Sequence, residues 1–279
     1  MSLYANYNVL SKAYDENRSA VASHLYIGGF LARLGIPLQD LHLLDAGCGT
    51  GNYAKAMLDA GVGKMTLLDA NEGMLGKAKE KLQRYITDGR ILEVRQHALP
   101  TIPFPDESFD CMMINQVIHH LDQTKEHPNI RKAMAEAFRV LKPGGVLIVN
   151  TSFPHQFAKG YWFYPLAPRV VDIFDTVLPD PKEMIQILKD VQFSEPEIVV
   201  PLDTLFYSSM EHYLHEDGPL RPEMKKSDSF WDKVTPDEWK GIEARIKEMK
   251  ENGTLKQYIF ENDKQRLEVG QLSLVFAMK

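Results

Sequence analysis

The segment LLDAGCGTGNYA, residues 43–54, joins a short apolar run to an acid and then places a glycine at every second position. The apolar run predicts a buried β-strand, and the residues from Asn52 onward predict an amphipathic helix. Gly47, Gly49 and Gly51 carry no Cβ, so the backbone can turn sharply there and approach a ligand closely. The following helix start offers unpaired N–H groups to an anionic group. The segment therefore predicts a ligand-binding turn between a strand and a helix.

The rest of the chain continues this alternation of strands and helices. Helical patterns cover residues 52–61, 72–86, 129–141 and 181–193. Apolar runs predict seven strands, at residues 41–46, 64–70, 91–97, 109–116, 144–150, 195–203 and 269–279. Strands separated by helices of this length indicate parallel pairing with right-handed crossovers. We therefore predict an α/β fold with a doubly wound, mostly parallel seven-stranded sheet.

Two further segments flank or interrupt this predicted core. Residues 1–40 have a helical pattern and are expected to form an N-terminal helical cap. Residues 204–266 are rich in charge and contain a helix signature, with Thr235 as N-cap, Pro236 at the first helical position and Gly253 after the end. A long insertion between two late strands is usually a binding element, so we predict a helical substrate lid there. The core then comprises residues 41–203 and 267–279.

Composition excludes several other classes of protein. The 279 residues carry a formal net charge of −6, which disfavours a nucleic-acid partner. Cys48 and Cys111 have no metal-ligand spacing, so we predict no metal site and a reducing, cytoplasmic location. No stretch is long and apolar enough to span a bilayer. The basic residues of the second helix, Lys77 to Arg84, predict a solvated helix face.

Asp69 closes the second predicted strand, roughly twenty residues after the glycine turn, where an acid can accept hydrogen bonds from both hydroxyls of a ribose. The turn and this acid together predict a nucleoside-containing cofactor. A dinucleotide fingerprint would need its third glycine at Asn52, which disfavours a nicotinamide-dependent oxidoreductase. A phosphate-binding loop would need Gly-Lys-Ser/Thr, which is absent.

Four segments in order resemble the class I S-adenosylmethionine-dependent methyltransferases: LLDAGCGTG at 43–51, LLDANEGML at 67–75, IPFPDESFDCMMINQVIHHL at 102–121 and EAFRVLKPGGVLIVN at 136–150. The resemblance covers residues 41–150 and extends weakly to both ends. Within the family, the chain is most similar to the small-molecule branch that includes ubiquinone- and menaquinone-type enzymes. The segment YDENR, residues 14–18, resembles the opening helix of that branch. The resemblance implies a Rossmann-like methyltransferase fold and S-adenosyl-L-methionine as cofactor.

The resemblance also implies which residues hold the cofactor. Gly47, Gly49 and Gly51 would make room for its amino-acid end, and Asp69 would hold its ribose. The other implied contacts follow the strand ends: Asp45, Cys48, Asn52, Ala70, Met74, His97, Ala98, Asn115 and Gln116. His97 and Ala98 stand where the family usually has an acid beside the adenine. Neither can supply a carboxylate, so backbone groups would hold the adenine.

Methyl transfer needs a general base only when the acceptor must lose a proton. His119 and His120, just past the fourth strand, are the nearest candidates, and Tyr14 on the opening helix is a third catalytic candidate. The alternative is that one histidine packs under the following helix while the other is solvated. Both interpretations stay open from the sequence.

Aromatic residues after the fifth strand lie near the carboxyl edge of the sheet, where doubly wound folds bind ligands. We predict substrate contacts for Phe153, Tyr161 and Trp162, and for Tyr7, Tyr14 and Arg18 on the opening helix. An aromatic wall could hold an aromatic acceptor or an amine. The same residues could equally form the core of a cap.

The predicted function is methyl transfer from S-adenosylmethionine to a small-molecule acceptor at N, O, S or C. The fourth strand lacks the Asn/Asp-Pro-Pro-Tyr pattern that resembles methylation of nucleic-acid bases or protein glutamine. The alternative is a regulatory or partner-binding module that keeps the cofactor site without turnover. The oligomeric state is not predicted.

Overall fold

A computed structural model describes residues 23–202, Leu205 and residues 210–279. Its centre is one seven-stranded sheet in the order β3-β2-β1-β4-β5-β7-β6. The strands are β1 His42–Ala46, β2 Lys64–Asp69, β3 Ile91–Gln96, β4 Phe109–Asn115, β5 Leu141–Thr151, β6 Ser194–Val199 and β7 Ser273–Met278. The pairs from β3 to β5 are parallel, and β7 runs antiparallel to both β5 and β6. The predicted mostly parallel, doubly wound sheet is confirmed.

Helices flank the sheet as the sequence pattern predicts. They are α1 Ser23–Arg33, α2 Asn52–Asp59, α3 Glu72–Lys81, α4 Gln83–Thr87, α5 Pro128–Val140, α6 Pro154–Lys159, α7 Pro168–Val177 and α8 Pro181–Asp190. The predicted single helix 72–86 divides at Leu82, whose φ of −104° and ψ of 12° leave the helical region. Leu82 is buried, and its Cδ1 would lie 2.8 Å from a Cβ on Gly51, so the side chain at the break packs against the glycine turn.

The central strands are buried over nearly their whole length. In β4 every residue except Asp110 is buried, and in β1 only His42 is partly exposed. Continuous apolar strands are expected in a parallel sheet that helices cover on both faces. The polar residues Asp45 and Asn115 interrupt this apolar core at the carboxyl ends of β1 and β4. The core therefore places unusual polar groups at the edge where ligands bind.

The segment before β7 is largely helical in its described part, with α9 Met210–Tyr213, α10 Pro222–Ser227, α11 Pro236–Glu251 and α12 Leu255–Val269. Thr235 caps α11 in a capping box with Glu238, and Gly253 follows with a φ of 75°, as the sequence predicts. The proposed boundary at 266/267 falls inside α12. The Gln156 amide of α6 donates to the carbonyls of Val269 and Leu272, at 2.8 and 3.0 Å. These bonds tie the end of the segment to the core.

Within the residues that the structure describes, no helix is both long enough and apolar enough to cross a membrane.

Candidate functional site

The glycine turn follows β1, and its three glycines all have left-handed φ values, of 84° at Gly47, 53° at Gly49 and 83° at Gly51. A Cβ on Gly47 would lie 2.3 Å from Val117 Cγ2, and one on Gly51 would lie 2.8 Å from Leu82 Cδ1. A Cβ on Gly49 would meet no described atom within 4 Å. Packing against Val117 and Leu82 thus disfavours a Cβ at Gly47 and Gly51, and among these three glycines open space lies beside Gly49 alone. That all three make room for a ligand stays a prediction.

Asp69 links the end of β2 to the glycine turn. Its Oδ2 accepts a hydrogen bond from the Gly49 backbone N–H at 2.8 Å, and its Oδ1 accepts one from Asn71 N–H at 2.8 Å. Burial raises the pKa of Asp69, and these two N–H groups oppose that shift. Each carboxylate oxygen has a further lone pair. Asp69 can therefore shape the turn and still accept hydrogen bonds from a ligand.

Asp45 and Asn115 carry buried acceptor oxygens that lack donors. Asn115 Nδ2 donates to Asp45 Oδ1 over a long 3.5 Å. Neither Asp45 Oδ2 nor Asn115 Oδ1 has a hydrogen-bond partner among the described residues. Burial, with a contribution from Asp69, raises the pKa of Asp45 to about 8. Unsatisfied buried acceptors are costly, so this pair is suited to a ligand that brings donors or positive charge.

This arrangement fits S-adenosylmethionine, which carries an ammonium, a sulfonium and ribose hydroxyls. A bound cation would lower the raised pKa of Asp45, so that its carboxylate and the Asn115 oxygen suit the cationic groups. The half-buried Asp69 carboxylate suits the hydroxyls. The open space beside Gly49 gives the ligand a place next to the turn. The acceptor groups of the site therefore fit the cofactor that the resemblance implies.

A lysine of α3 also supports the glycine turn. Lys81 donates to Thr50 Oγ1 at 3.2 Å and to Asn52 Oδ1. The predicted solvated helix face does not extend to Lys81, which is half-buried because its long side chain reaches back to the turn. Cys48 is buried, and burial raises its thiol pKa well above the ordinary value, so the thiol stays protonated. Cys48 thus contributes packing and backbone to the turn.

The ends of β2 and β3 form the predicted adenosine side. Ala70 is exposed and Met74 is buried. His97 N–H donates to the Asp69 carbonyl at 3.0 Å, and its ring contacts Thr101 Oγ1 at 2.9 Å. Gln96, which sequence analysis did not single out, donates from its amide to the Ala70 carbonyl at 3.1 Å. In the sequence, only the position of Gln96 at the end of the third strand indicates that it could lie at the site.

The other side of the site lies beyond β4. The rings of His119 and His120 lie 3.9 Å apart between centroids, and His119 lies 6.0 Å from Phe174 of α7. Burial, with smaller contributions from His119 and Lys233, lowers the pKa of His120 well below its ordinary value. The His120 imidazole is therefore neutral near pH 7. His119 is buried and His120 is half-buried, so neither is fully solvated.

Sequence analysis missed Lys233, which reaches this region from the segment before β7. Its Nζ lies 5.6 Å from the Phe174 ring centroid, and burial lowers its pKa to about 8. Arg169 donates to the Lys233 carbonyl at 2.6 Å and pairs with Glu238. The predicted lid thus brings a cation close to the candidate histidines, although no spacing in the sequence signals it.

The aromatic residues after β5 are mostly packed inside. Phe153, Tyr161 and Trp162 are all buried. The Tyr161 hydroxyl donates to the Gln271 carbonyl at 3.2 Å, and Trp162 Nε1 donates to the Tyr213 carbonyl at 2.7 Å. Their polar atoms are thus occupied by backbone groups, which favours the cap-core interpretation. Substrate contact by these three residues stays a prediction.

Three predicted residues, Tyr7, Tyr14 and Arg18, lie outside the described residues. Across the part of the chain that the structure describes, no group of three or more His, Cys, Asp or Glu residues could hold a metal ion.

Comparison with known proteins gives matches that centre on β1 to β5. Residues 44–149 match the family model described as "Methyltransferase domain". A demethylmenaquinone methyltransferase of Leptospira interrogans is 35% identical over 165 residues, which cover 56% of this chain and 62% of the relative. The chain thus spans less than two thirds of the length of the curated relatives it matches.

Solved structures extend the likeness over most of the chain at the level of the fold. A methyltransferase assigned to an antibiotic biosynthesis pathway of Anabaena variabilis has a TM-score of 0.68 and 17% identity, covering 90% of this chain and 96% of its own. A Haemonchus contortus phosphoethanolamine N-methyltransferase, solved with phosphomonomethylethanolamine and S-adenosylhomocysteine, has a TM-score of 0.53 and 20% identity. It covers 90% of this chain and 51% of its own.

Proposed function

We propose that this chain, whose core is a class I S-adenosylmethionine-dependent methyltransferase domain, transfers a methyl group from S-adenosylmethionine to a small-molecule acceptor. One observation carries the proposal: buried acceptor oxygens of Asp45 and Asn115 without donors, next to a glycine turn that opens at Gly49. A ligand that brings an ammonium or sulfonium would satisfy both oxygens. The net charge of −6 supports a small molecule as acceptor in preference to nucleic acid. The free, buried Cys48 and Cys111 fit a reducing, cytoplasmic location.

Each cofactor residue would have a separate task. Asp69 would accept hydrogen bonds from the ribose hydroxyls while its bond from Gly49 N–H keeps the turn in shape. Asp45 and Asn115 would hold the cationic end. Ala70, Met74 and the His97–Ala98 backbone would border the adenosine, and Asn52 would lie at the start of α2. When bound, S-adenosylmethionine supplies a methyl carbon already activated for displacement.

The acceptor would lie between the end of β4 and the segment before β7. His120 is neutral at physiological pH and stays the candidate general base for an acceptor that must lose a proton, although its lowered pKa makes it a weak base. Holding two reactants in line can contribute about 7–11 kcal/mol to lowering the barrier, so positioning would carry most of the catalysis. The segment 204–266 would act as a substrate lid and would bring the Lys233 charge near His120.

The relatives suggest which acceptors to test first. Their names specify quinone-type substrates for the Leptospira protein and a phosphoethanolamine for the Haemonchus protein. The proposed acceptor panel therefore contains reduced quinones, simple phenols and small amines. Each compound is scored for S-adenosylhomocysteine release.

The deciding experiment combines binding and turnover in one preparation. Calorimetry is expected to detect S-adenosylmethionine and S-adenosylhomocysteine binding, which Asp69→Asn weakens at least tenfold. Asp59→Asn, in a surface ion pair on α2, is the matched control and should bind normally. Acceptor-dependent release of S-adenosylhomocysteine would support the enzyme. Binding without release across the panel would instead favour the regulatory module, and no binding of either compound would refute the cofactor site.

A further inference from the structure

Three polar residues, two of them buried, are joined by hydrogen bonds next to the end of β4. The Gln116 side-chain Nε2 donates to Asn150 Oδ1 at 3.0 Å, and Asn150 Nδ2 donates to Ser23 Oγ at 3.1 Å. Asn150 lies at the end of β5 and Ser23 begins α1, and both are buried. The chain thus connects α1 and β5 to the residue that follows β4.

The backbone of Gln116 is held by the same partner. Its N–H donates to the Asn150 carbonyl at 2.8 Å, directly after the register pair Asn115 and Asn150. Gln116 has a φ of 54°, a left-handed conformation that non-glycine residues adopt at a cost. Asn150 therefore binds both the main chain and the side chain of Gln116 and can keep it in this conformation.

The hydrogen bonds also orient the Gln116 amide. A glutamine amide has one donor end and one acceptor end, so engaging Nε2 with Asn150 leaves Oε1 as the outward end. No donor to Oε1 is found among the residues that the structure describes, and Gln116 is half-buried. The residue lies beside Asn115, whose own Oδ1 is an orphaned acceptor. Asn115 and Gln116, both predicted to border the cofactor, therefore each carry a carbonyl-type oxygen without a described donor.

We propose that Asn150 is a positioning residue that fixes Gln116 with its Oε1 toward the sulfonium of S-adenosylmethionine. This inference rests on the proposed function. An oxygen dipole facing a positive sulfur favours the charged cofactor, and it gives no such preference for the neutral thioether of S-adenosylhomocysteine. Asn150 therefore sets the preference of the site for the methyl donor over the demethylated product. Neither sequence motifs nor the implied cofactor contacts assign Asn150 a role.

The test measures the dissociation constants of both ligands by calorimetry. Asn150→Leu and Gln116→Ala are expected to weaken S-adenosylmethionine binding roughly tenfold, as for a hydrogen bond to a charged group, and S-adenosylhomocysteine binding less than about threefold. Thr151→Val is the matched control, because Thr151 is equally buried on β5 and, among the described residues, its hydroxyl contacts only the Ser152 carbonyl. It should leave the ratio of the two constants unchanged. Gln116 is half-exposed, so Gln116→Ala tests the same oxygen if Asn150→Leu fails to fold.

Three results would overturn the proposal. Equal losses for both ligands would make Asn150 and Gln116 structural residues only. If the variants instead bound S-adenosylmethionine more tightly relative to S-adenosylhomocysteine than the wild type does, the amide would present its NH₂ end to the site. Wild-type protein that binds neither ligand would refute the proposed function itself, and this positioning role with it.

Discussion

Replacing the glycines of the turn with alanine should have different effects at different positions. At Gly47 a new Cβ collides with Val117, whereas at Gly49 it enters open space. Both positions have a left-handed φ, so any alanine there costs about 1–2 kcal/mol. Beyond this cost, alanine at Gly47 should disturb packing, and alanine at Gly49 should weaken ligand binding.

Gly47→Ala is accordingly expected to lower the free energy of unfolding by more than Gly49→Ala, as measured by urea denaturation. Val117→Ala introduced together with Gly47→Ala should recover part of that loss, because it removes the atom that the new Cβ meets. Gly49→Ala should mainly reduce S-adenosylhomocysteine affinity in calorimetry. Equal stabilities of the two single variants would contradict this difference.

Asp45 links stability to pH. Its pKa of about 8 in the folded protein lies far above the value of about 3.9 in an unfolded chain. Between these values the folded state binds more protons, so the contribution of Asp45 to stability is complete at low pH and is lost as the pH rises toward 8.

Asp45→Asn should therefore be more stable than the wild type at pH 8, by about 1 kcal/mol or more, with the difference vanishing near pH 4. The same variant should bind S-adenosylmethionine more weakly, since the amide cannot become an anion. Urea denaturation across this pH range measures the first effect and calorimetry the second. A stability difference that does not change with pH would show that Asp45 titrates normally.

At the scale of elements, α9 is joined to the core through Tyr213. The Trp162 backbone N–H donates to the Tyr213 hydroxyl at 3.2 Å, and both residues are buried. Tyr258 on α12 offers a contrast, since its buried hydroxyl has no partner among the described residues. Removing these two hydroxyls should have opposite consequences.

Tyr213→Phe leaves the buried Trp162 N–H without an acceptor and is expected to cost about 1–3 kcal/mol of stability. Tyr258→Phe removes only an unsatisfied polar group and should be neutral or stabilising. Thermal denaturation compares the two variants directly. Similar losses in both would mean that ring packing, and not the hydrogen bond, joins α9 to the core.

The elements themselves were largely predictable from sequence, whereas contacts between distant elements were not. Apolar runs and the signals at Thr235, Pro236 and Gly253 are local, and they correctly predict strands and the limits of α11. The roles of Lys81 and Lys233 depend on where a long side chain reaches after folding, which no local pattern encodes. Likewise, the orphaned oxygens of Asp45 and Asn115 become visible only when β1 and β4 pair.

At the scale of the whole molecule, ligand binding should raise the thermal stability of the protein. A ligand at 100 times its dissociation constant stabilises by about 2.7 kcal/mol, which corresponds to a Tm increase of roughly 5 °C for a chain of this size. Asp69→Ala should lose this increase with S-adenosylhomocysteine, whereas Asp59→Ala should keep it. A shift of the same size in both variants would place the ligand away from Asp69.

The position of β7 between β5 and β6 also has a consequence for biosynthesis. Among the strands that the structure describes, β6 pairs with β7 alone, and β7 follows it only after the helical segment that ends with α12. During synthesis on the ribosome, β6 therefore has no strand to pair with while that segment emerges. The edge of β5 that later pairs with β7 stays unpaired over the same period. We expect the parallel half of the sheet, β1 to β5, to assemble first, and insertion of the antiparallel strand to be the late step that joins β6 to it.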